Sequence, residues 1–508
     1  RLFASRKNLI SESLSDLELA TGDMLVGGGA YDYALFGAFF RANYDFNDRY
    51  LIEVNGRYDG TSRFKSGMRY GFFPSVSAGW RLSEESFFEK AKEVVNNLKI
   101  RASFGSLGNQ AVNSSKPNYY PYIETMNTSL SSWLIDGQKT QNVSSPNPII
   151  DNLTWEKATT VNVGVDLSFL NSRLNVSGDA YVRNTTDMLV PGKTLPAVYG
   201  AASPQQNAGD LRTKGYELVV SWKDQFDLKG KPFNYGVSFV LGDAVSEITR
   251  YDNPNKLLAN HYEGKRFGEI WGYRIDGFFK TDEEAANWKI DQKLVNTQIQ
   301  KAPGEWGHLR AGDLKFRDLN GDGVISPGKK TADDPGDMEI IGNSEPRYNY
   351  GLNLNASWNG FDVSAFFQGI GRRDWYPSAN ADKFWGPYSR PYFSFTPKNF
   401  NDLVWTPENP DAYTALNSGG CLRDPNDKYI QNIGYLRLKN LVIGYTLPDR
   451  WMKKVFVQHC RLYVSGENLL TWTPFVTDYI DPEQPVADSN GRSYPMSKTF
   501  SVGLDITF

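Results

Sequence analysis

The last ten residues, TFSVGLDITF, set the tightest limit on how this chain folds. Phe500, Val502, Leu504, Ile506 and Phe508 alternate with Thr499, Ser501, Gly503, Asp505 and Thr507, so an extended backbone here carries one apolar and one polar face. The pattern recurs at 347–358, where Tyr348, Tyr350, Leu352, Leu354, Ala356 and Trp358 oppose Asn349, Gly351, Asn353, Asn355 and Ser357. Asn359-Gly360 then turns the chain into a run with Phe361, Val363, Ala365 and Phe367 on its apolar face, which reads as a hairpin. A second hairpin joins Val161, Val163, Val165, Leu167 and Phe169, across Asn171-Ser172-Arg173, to Leu174, Val176, Ala180 and Val182.

Similar runs at 33–45, 50–60, 70–82, 97–107, 213–223, 233–246, 434–447 and 459–471 bring the expected total to about 13 strands. The run at 434–447 changes phase near Asn440, which predicts a bulge or the point where the strand leaves the membrane. Segment 86–95, SFFEKAKEVV, reads as a short amphipathic helix. Aromatic residues at 14%, 46 Gly and 26 Pro suit strands and turns, so the class is all-β.

No stretch of about 18 apolar residues occurs, which excludes a transmembrane helix but not a membrane strand, since a barrel strand faces lipid with every second residue only. A soluble β-sandwich alternates too. Against it, the off-face residues are Asn, Ser, Asp, Gly, Glu and Arg, as a hydrated lumen needs. Trp80, Phe169, Trp222, Phe233, Trp358 and Phe361 gather beside short turns, as an interfacial girdle would. Connections alternate between short and long. The expected fold is therefore a transmembrane antiparallel β-barrel with long extracellular loops.

If Phe508 ends on the periplasmic side, the turns at 46–49, 83–96, 170–173, 224–232, 359–360 and 448–458 are periplasmic, and 59–69, 108–157, 187–212, 248–346, 371–433 and 472–497 lie outside the cell. Arg1 is then outside as well. An odd set of strands cannot close this way, so the expectation is that 1–508 is the C-terminal part of a longer barrel protein, with any plug domain absent from it.

Four segments, GYLRLKNLVIGYTLP at 434–448, RLYVSGENLLTWT at 461–473, FRDLNGDGVI at 316–325 and IIGNSEPRYNYGLNLNASWNGFDVSAFFQG at 340–369, resemble the C-terminal barrel of SusC/RagA-like TonB-dependent transporters of Bacteroidetes. The resemblance runs from about residue 33 to the end. It implies a barrel of about 22 strands with an N-terminal plug, coupled to TonB through a segment this chain lacks. It further implies a SusD-like surface lipoprotein capping the mouth, a dimer of such transporter–lipoprotein pairs, and residence in the outer membrane of a Gram-negative bacterium.

For chemistry, Asp318-Leu319-Asn320-Gly321-Asp322-Gly323-Val324 matches the first half of a calcium loop, with Asp318, Asn320, Asp322 and the Val324 carbonyl as oxygen donors. Position 12 is Lys329 where a carboxylate is needed; Asp333, Asp334 or Asp337 could supply it, and a metal-free Asx-rich turn is the alternative. Long-loop aromatics Trp271, Tyr273, Trp375, Tyr376, Trp385, Tyr388, Tyr392 and Trp405 suit stacking on a sugar or contact with the lid, or simply packing of the loops. His261, His308 and His459 belong to no triad or zinc pattern, so no catalytic residue is expected. Cys421 and Cys460 fall at opposite ends of the barrel and are not expected to bond. A net charge of -3 without a basic stripe argues against nucleic acid.

The leading expectation is TonB-dependent import of an oligomeric nutrient, an oligosaccharide first. The rivals are an oligopeptide or metal-chelate/cobalamin receptor in the same membrane, and a secreted glycan-binding or glycan-degrading β-protein.

Overall fold

The computed structural model describes residues 2–9, 17–28, 32–111, 119–126, 128–146, 148–149, 152–192, 196, 198, 200, 203–296, 309–389, 396–416, 424–452, 457–485, 492–494 and 496–508. Arg1, His308, Tyr392 and Cys421 lie outside them. Thirteen strands form one antiparallel sheet in which each pairs with its neighbours in sequence. They are β1 (Leu35–Phe46), β2 (Tyr50–Thr61), β3 (Tyr70–Arg81), β4 (Val95–Asn109), β5 (Glu156–Phe169), β6 (Leu174–Pro191), β7 (Gln205–Leu228), β8 (Lys231–Arg250), β9 (Arg347–Trp358), β10 (Phe361–Arg372), β11 (Tyr435–Thr446), β12 (His459–Trp472) and β13 (Thr499–Thr507). Strands β1 and β13 are the two edges.

Register fixes which residues share a face. Ile506, Leu462, Tyr445, Phe361, Trp358, Phe233, Phe226, Trp222, Leu174, Phe169 and, further along, Ile100 and Trp80 fall on one side. This apolar face is open to its surroundings: Phe40, Ile52, Val76, Ile100, Val163, Val237, Val363, Ile443 and Val464 are all exposed. A sandwich would bury such a face under a second sheet, whereas a membrane-spanning wall turns it to lipid.

The opposite face carries charges that satisfy one another. Arg101 on β4 reaches across β5 to Asp166 at 2.8 Å and to Asp179 on β6 at 2.9 Å. Near the other edge, Arg461 on β12 binds Asp362 on β10 at 2.6 Å and Asp505 on β13 at 3.4 Å. Each span crosses a glycine: a Cβ on Gly164 would stand 2.4 Å from Asp179 Oδ1, and one on Gly444 2.5 Å from Asp362 Oδ1. Gly164→Ala should therefore push the Arg101 bridge apart and cost about 1–3 kcal/mol; a lowered denaturant midpoint for the detergent-folded barrel checks it, and an unchanged midpoint would show that the cluster simply shifts.

Turn chemistry explains the short side. Leu228 pairs with Lys231 and Trp358 with Phe361 around Lys229-Gly230 and Asn359-Gly360, all four residues having positive φ, the twist a two-residue hairpin needs. The first of these tightens the expected turn 224–232 to two residues, because β7 and β8 keep pairing down to it. On the other side the expected loop 187–212 shortens likewise, since β6 runs to Pro191 and β7 starts at Gln205. Segment 86–95 is not an α-helix but a six-residue 3-10 turn, Ser86–Ala91, after a first one at Leu82–Glu84. The Glu85 carboxylate between them accepts hydrogen bonds from Tyr50 Oη at 2.6 Å and Trp80 Nε1 at 3.0 Å, which pins the chain to the sheet before a helix can lengthen. The expected phase change is a bulge at Lys439: pairing of β11 jumps between Leu438 and Asn440 toward both neighbours.

Candidate functional site

Connections on the side away from the short turns are long, and the described parts of three of them, 251–346, 373–434 and 473–498, share one core. That core joins Tyr273, Leu314, Phe316 and Ile325 from the first connection to Trp375, Trp385, Trp405, Tyr429 and Ile433 from the second and Phe475 and Ile480 from the third. Short pairings brace it: Glu269–Gly272 with Glu339–Asn343, Ile275–Phe278 with Leu314–Phe316, and Asp374–Trp375 with Gln431–Asn432. A smaller cluster of Phe64, Phe73, Leu153 and Trp155 ties the connections on either side of β3 and β4 to the wall.

Six of the loop aromatics named from the sequence, Tyr273, Trp375, Tyr376, Trp385, Tyr388 and Trp405, pack in or against that core. Tyr273, Trp375, Trp385 and Trp405 are buried, and Trp271, Tyr376 and Tyr388 are half-buried. Edge-to-face contacts lock them: Trp375 meets Phe475 at 5.7 Å and Trp385 meets Tyr429 at 5.1 Å. Their polar ends serve the fold, with Trp385 Nε1 donating to the Ser378 carbonyl at 2.9 Å, Tyr376 Oη to that of Asp424 at 3.0 Å and Tyr388 Oη to that of Ala415 at 3.0 Å. Burial raises the Tyr273 hydroxyl well above the ordinary phenol range, so it stays neutral.

One surface of Trp385 does reach open space. A cavity of about 160 Å³ lies between connections 373–434 and 473–498, walled by Phe384, Trp385, Phe400, Leu403 and Tyr413 on one side and Val476 to Tyr479 on the other. Of its lining, the sequence reading named Trp385 alone. Phe384, Phe400 and Tyr413 show no periodicity that would single them out.

The third connection is held down by charge. Arg437 of β11, 1% exposed, donates to Asp481 Oδ2 at 2.7 Å and to Thr471 Oγ1 at 2.9 Å, and also pairs with Glu483 Oε1 at 2.7 Å. Lys439, the bulge residue, binds the same Glu483 at 2.7 Å. Two cations two residues apart in the otherwise apolar run YLRLKNLVIGYT were the available signal for this tether.

The 318–329 loop makes Asx turns. Asp318 accepts from Gly321 N at 2.7 Å and Gly323 N at 2.9 Å, which holds its carboxyl below the usual range, and Asp322 accepts from Val324 N at 2.8 Å. Asn320 Oδ1 accepts from Asp322 N at 2.9 Å. Lys329 turns instead to Asp334 at 3.3 Å, and Asp333 to Lys256 at 2.8 Å. The carboxylate that closes on the loop is the fully buried Asp337, which accepts from Leu319 N at 2.8 Å and Ser326 N at 2.7 Å. Among the described residues no cluster of three or more His, Cys, Asp or Glu side chains converges on a metal position. Cys460 is a buried free thiol.

The model of the TonB dependent receptor-like β-barrel family matches residues 15–469. The chain is similar to TonB-dependent receptor P3 of Formosa agariphila, at 28% identity over 100% of this chain and 49% of that protein. It is similar also to TonB-dependent receptor SusC of Bacteroides thetaiotaomicron, at 27% identity over 93% of this chain and 44% of that one. Among solved structures, the RagAB peptide transporter shares the fold with a TM-score of 0.69 at 23% identity, over 98% of this chain and 50% of that chain. The chain thus spans about half the length of the curated relatives it matches. With its lipid-facing strand wall and its match over most of its length, the chain belongs to the TonB dependent receptor-like β-barrel family of the Gram-negative outer membrane.

Proposed function

We propose that the protein containing this chain imports an oligosaccharide across the outer membrane, with TonB supplying the energy and a SusD-like lipoprotein capping the long-loop body. The observation that carries this reading is the separation of faces: an exposed apolar face suited to lipid backs a face lined by Arg101, Asp166, Asp179, Asp362 and Arg461, whose charges are already paired. Such a wall offers a hydroxyl-rich, neutral cargo many hydrogen bonds without trapping it by charge. In this reading the short turns are periplasmic, the long-loop body lies outside the cell, and two transporter–lipoprotein pairs associate.

Deleting the gene should abolish growth on one glycan while growth on its monosaccharides and on peptides continues, and inactivating TonB should have the same effect. Unchanged growth on every glycan, with loss on peptides, would overturn the cargo assignment in favour of a peptide.

Calcium at 318–329 belongs to the same proposal, with Asp337 taking the place the spacing gives to Lys329. Millimolar calcium, the range of extracellular modules, should raise the melting temperature of the long-loop body, and Asp337→Asn should remove that rise. Equal melting in calcium and in chelator would refute a metal there.

A further inference from the structure

We propose that the cavity between connections 373–434 and 473–498 is a subsite for one neutral pyranose unit of the cargo; this rests on the glycan reading above. Size sets the first limit. About 160 Å³ falls well short of the roughly 300–1,000 Å³ that encloses a whole small ligand. One residue of an oligomer fits, with the rest of the chain leaving by the mouth.

Chemistry sets the second. The ring walls present carbon: Trp385 Nε1 is spent on the Ser378 carbonyl, and Tyr413 Oη already receives Gln431 Nε2 at 2.6 Å. Polar side chains in the lining stand apart from that set. Lys383, Asn399 and Asp478 make no side-chain hydrogen bond or ion pair with any described residue. Hydrocarbon walls with unengaged donors and acceptors at the rim match a pyranose, whose C–H faces are apolar and whose hydroxyls project around its edge.

An apolar peptide side chain would match the walls but would displace water from Lys383, Asn399 and Asp478 and return no hydrogen bond. An anionic sugar would gain Lys383 and be repelled by Asp478, and a cationic one the reverse. A neutral ring uses both. The width of the cavity is also fixed: Val476 to Asp478 form one wall a few residues before Asp481, which Arg437 holds to β11.

The test uses the full-length protein with its lipoprotein in detergent, and saturation-transfer NMR with short gluco-, galacto-, manno- and xylo-oligosaccharides as probes and short oligopeptides as the competing class. At least one should bind, and both Val476→Trp, which fills the cavity from its exposed rim, and Asp478→Asn should weaken that binding about tenfold or more while heat-modifiable migration stays normal. Binding that survives both substitutions overturns the subsite and leaves the glycan reading standing. Binding of oligopeptides alone, weakened by the same substitutions, overturns the glycan reading and the pyranose assignment together. If no probe of either kind binds, the subsite is refuted.

Discussion

Alanine in place of Trp405 will unfold the long-loop body and leave the strand wall paired. Trp405 is 2% exposed, and its ring packs on Gly312 of the first long connection, where an added Cβ would stand 2.5 Å from the indole. Gly312 also has φ +84, so the socket takes glycine for two reasons. The backbone N–H of Trp405 donates to the Thr414 carbonyl at 2.9 Å, so one residue links three stretches of chain. Removing a buried tryptophan costs about 3–5 kcal/mol, which is on the scale of what such a body has to lose. The thirteen-strand sheet has its own ladders and contributes nothing to this contact. Limited proteolysis should open 251–346 and 373–434 in Trp405→Ala while heat-modifiable migration persists, and uptake should vanish. Because Trp405 Nε1 has no hydrogen-bond partner among the described residues, Trp405→Phe removes area alone and should cost about 1–2 kcal/mol. A protease-resistant Trp405→Ala protein that has lost only cargo binding would return the ring to the ligand-contact role.

That contrast shows what the sequence could carry. Strands were legible because lipid and lumen print opposite residue types on successive positions, as in Val161 to Phe169. Where β6 runs on through Asn184, Thr185 and Thr186, the alternation stops although pairing continues to Pro191; the strand end predicted there marks where the apolar face fades, not where the strand stops. Loop aromatics were legible as a set but not in their roles. Whether Trp405 faces a ligand or a core depends on Gly312, more than ninety residues away, and no local pattern encodes that meeting. In the calcium-type loop the spacing puts Lys329 at the twelfth position, and the sequence left Asp333, Asp334 and Asp337 as equal candidates to close on it. An inserted turn built on Gly328 and Gly336, both at positive φ, carries the closing carboxylate on to Asp337, so a fixed spacing rule landed on Lys329.

Arg437→Leu should release the third long connection from the wall, and with it one side of the cavity. The guanidinium is the most buried charge in the tether, at 2% side-chain exposure, and its acids are little more accessible: Asp481 at 14% and Glu483 at 18%. Leucine fills part of the space but leaves two carboxylates facing each other with Lys439 as their remaining cation. Deleting one member of a buried ion cluster costs about 3–5 kcal/mol, because the survivors keep their desolvation and lose their partner. The loop has an alternative that a core residue lacks: it can swing 476–483 into water and rehydrate both acids. The expected result is therefore local, with protease cleavage within 473–498 rising sharply, the melting of the rest of the body little changed, and binding of the oligosaccharide probe falling with the lost wall. Adding Asp481→Asn and Glu483→Gln to Arg437→Leu removes the stranded charge and should restore part of the protection. If the triple variant is as labile as the single one, hydrogen-bond geometry rather than unpaired charge holds the strap, and Arg437 acts as a fork binding Thr471 and the loop rather than as a counter-ion.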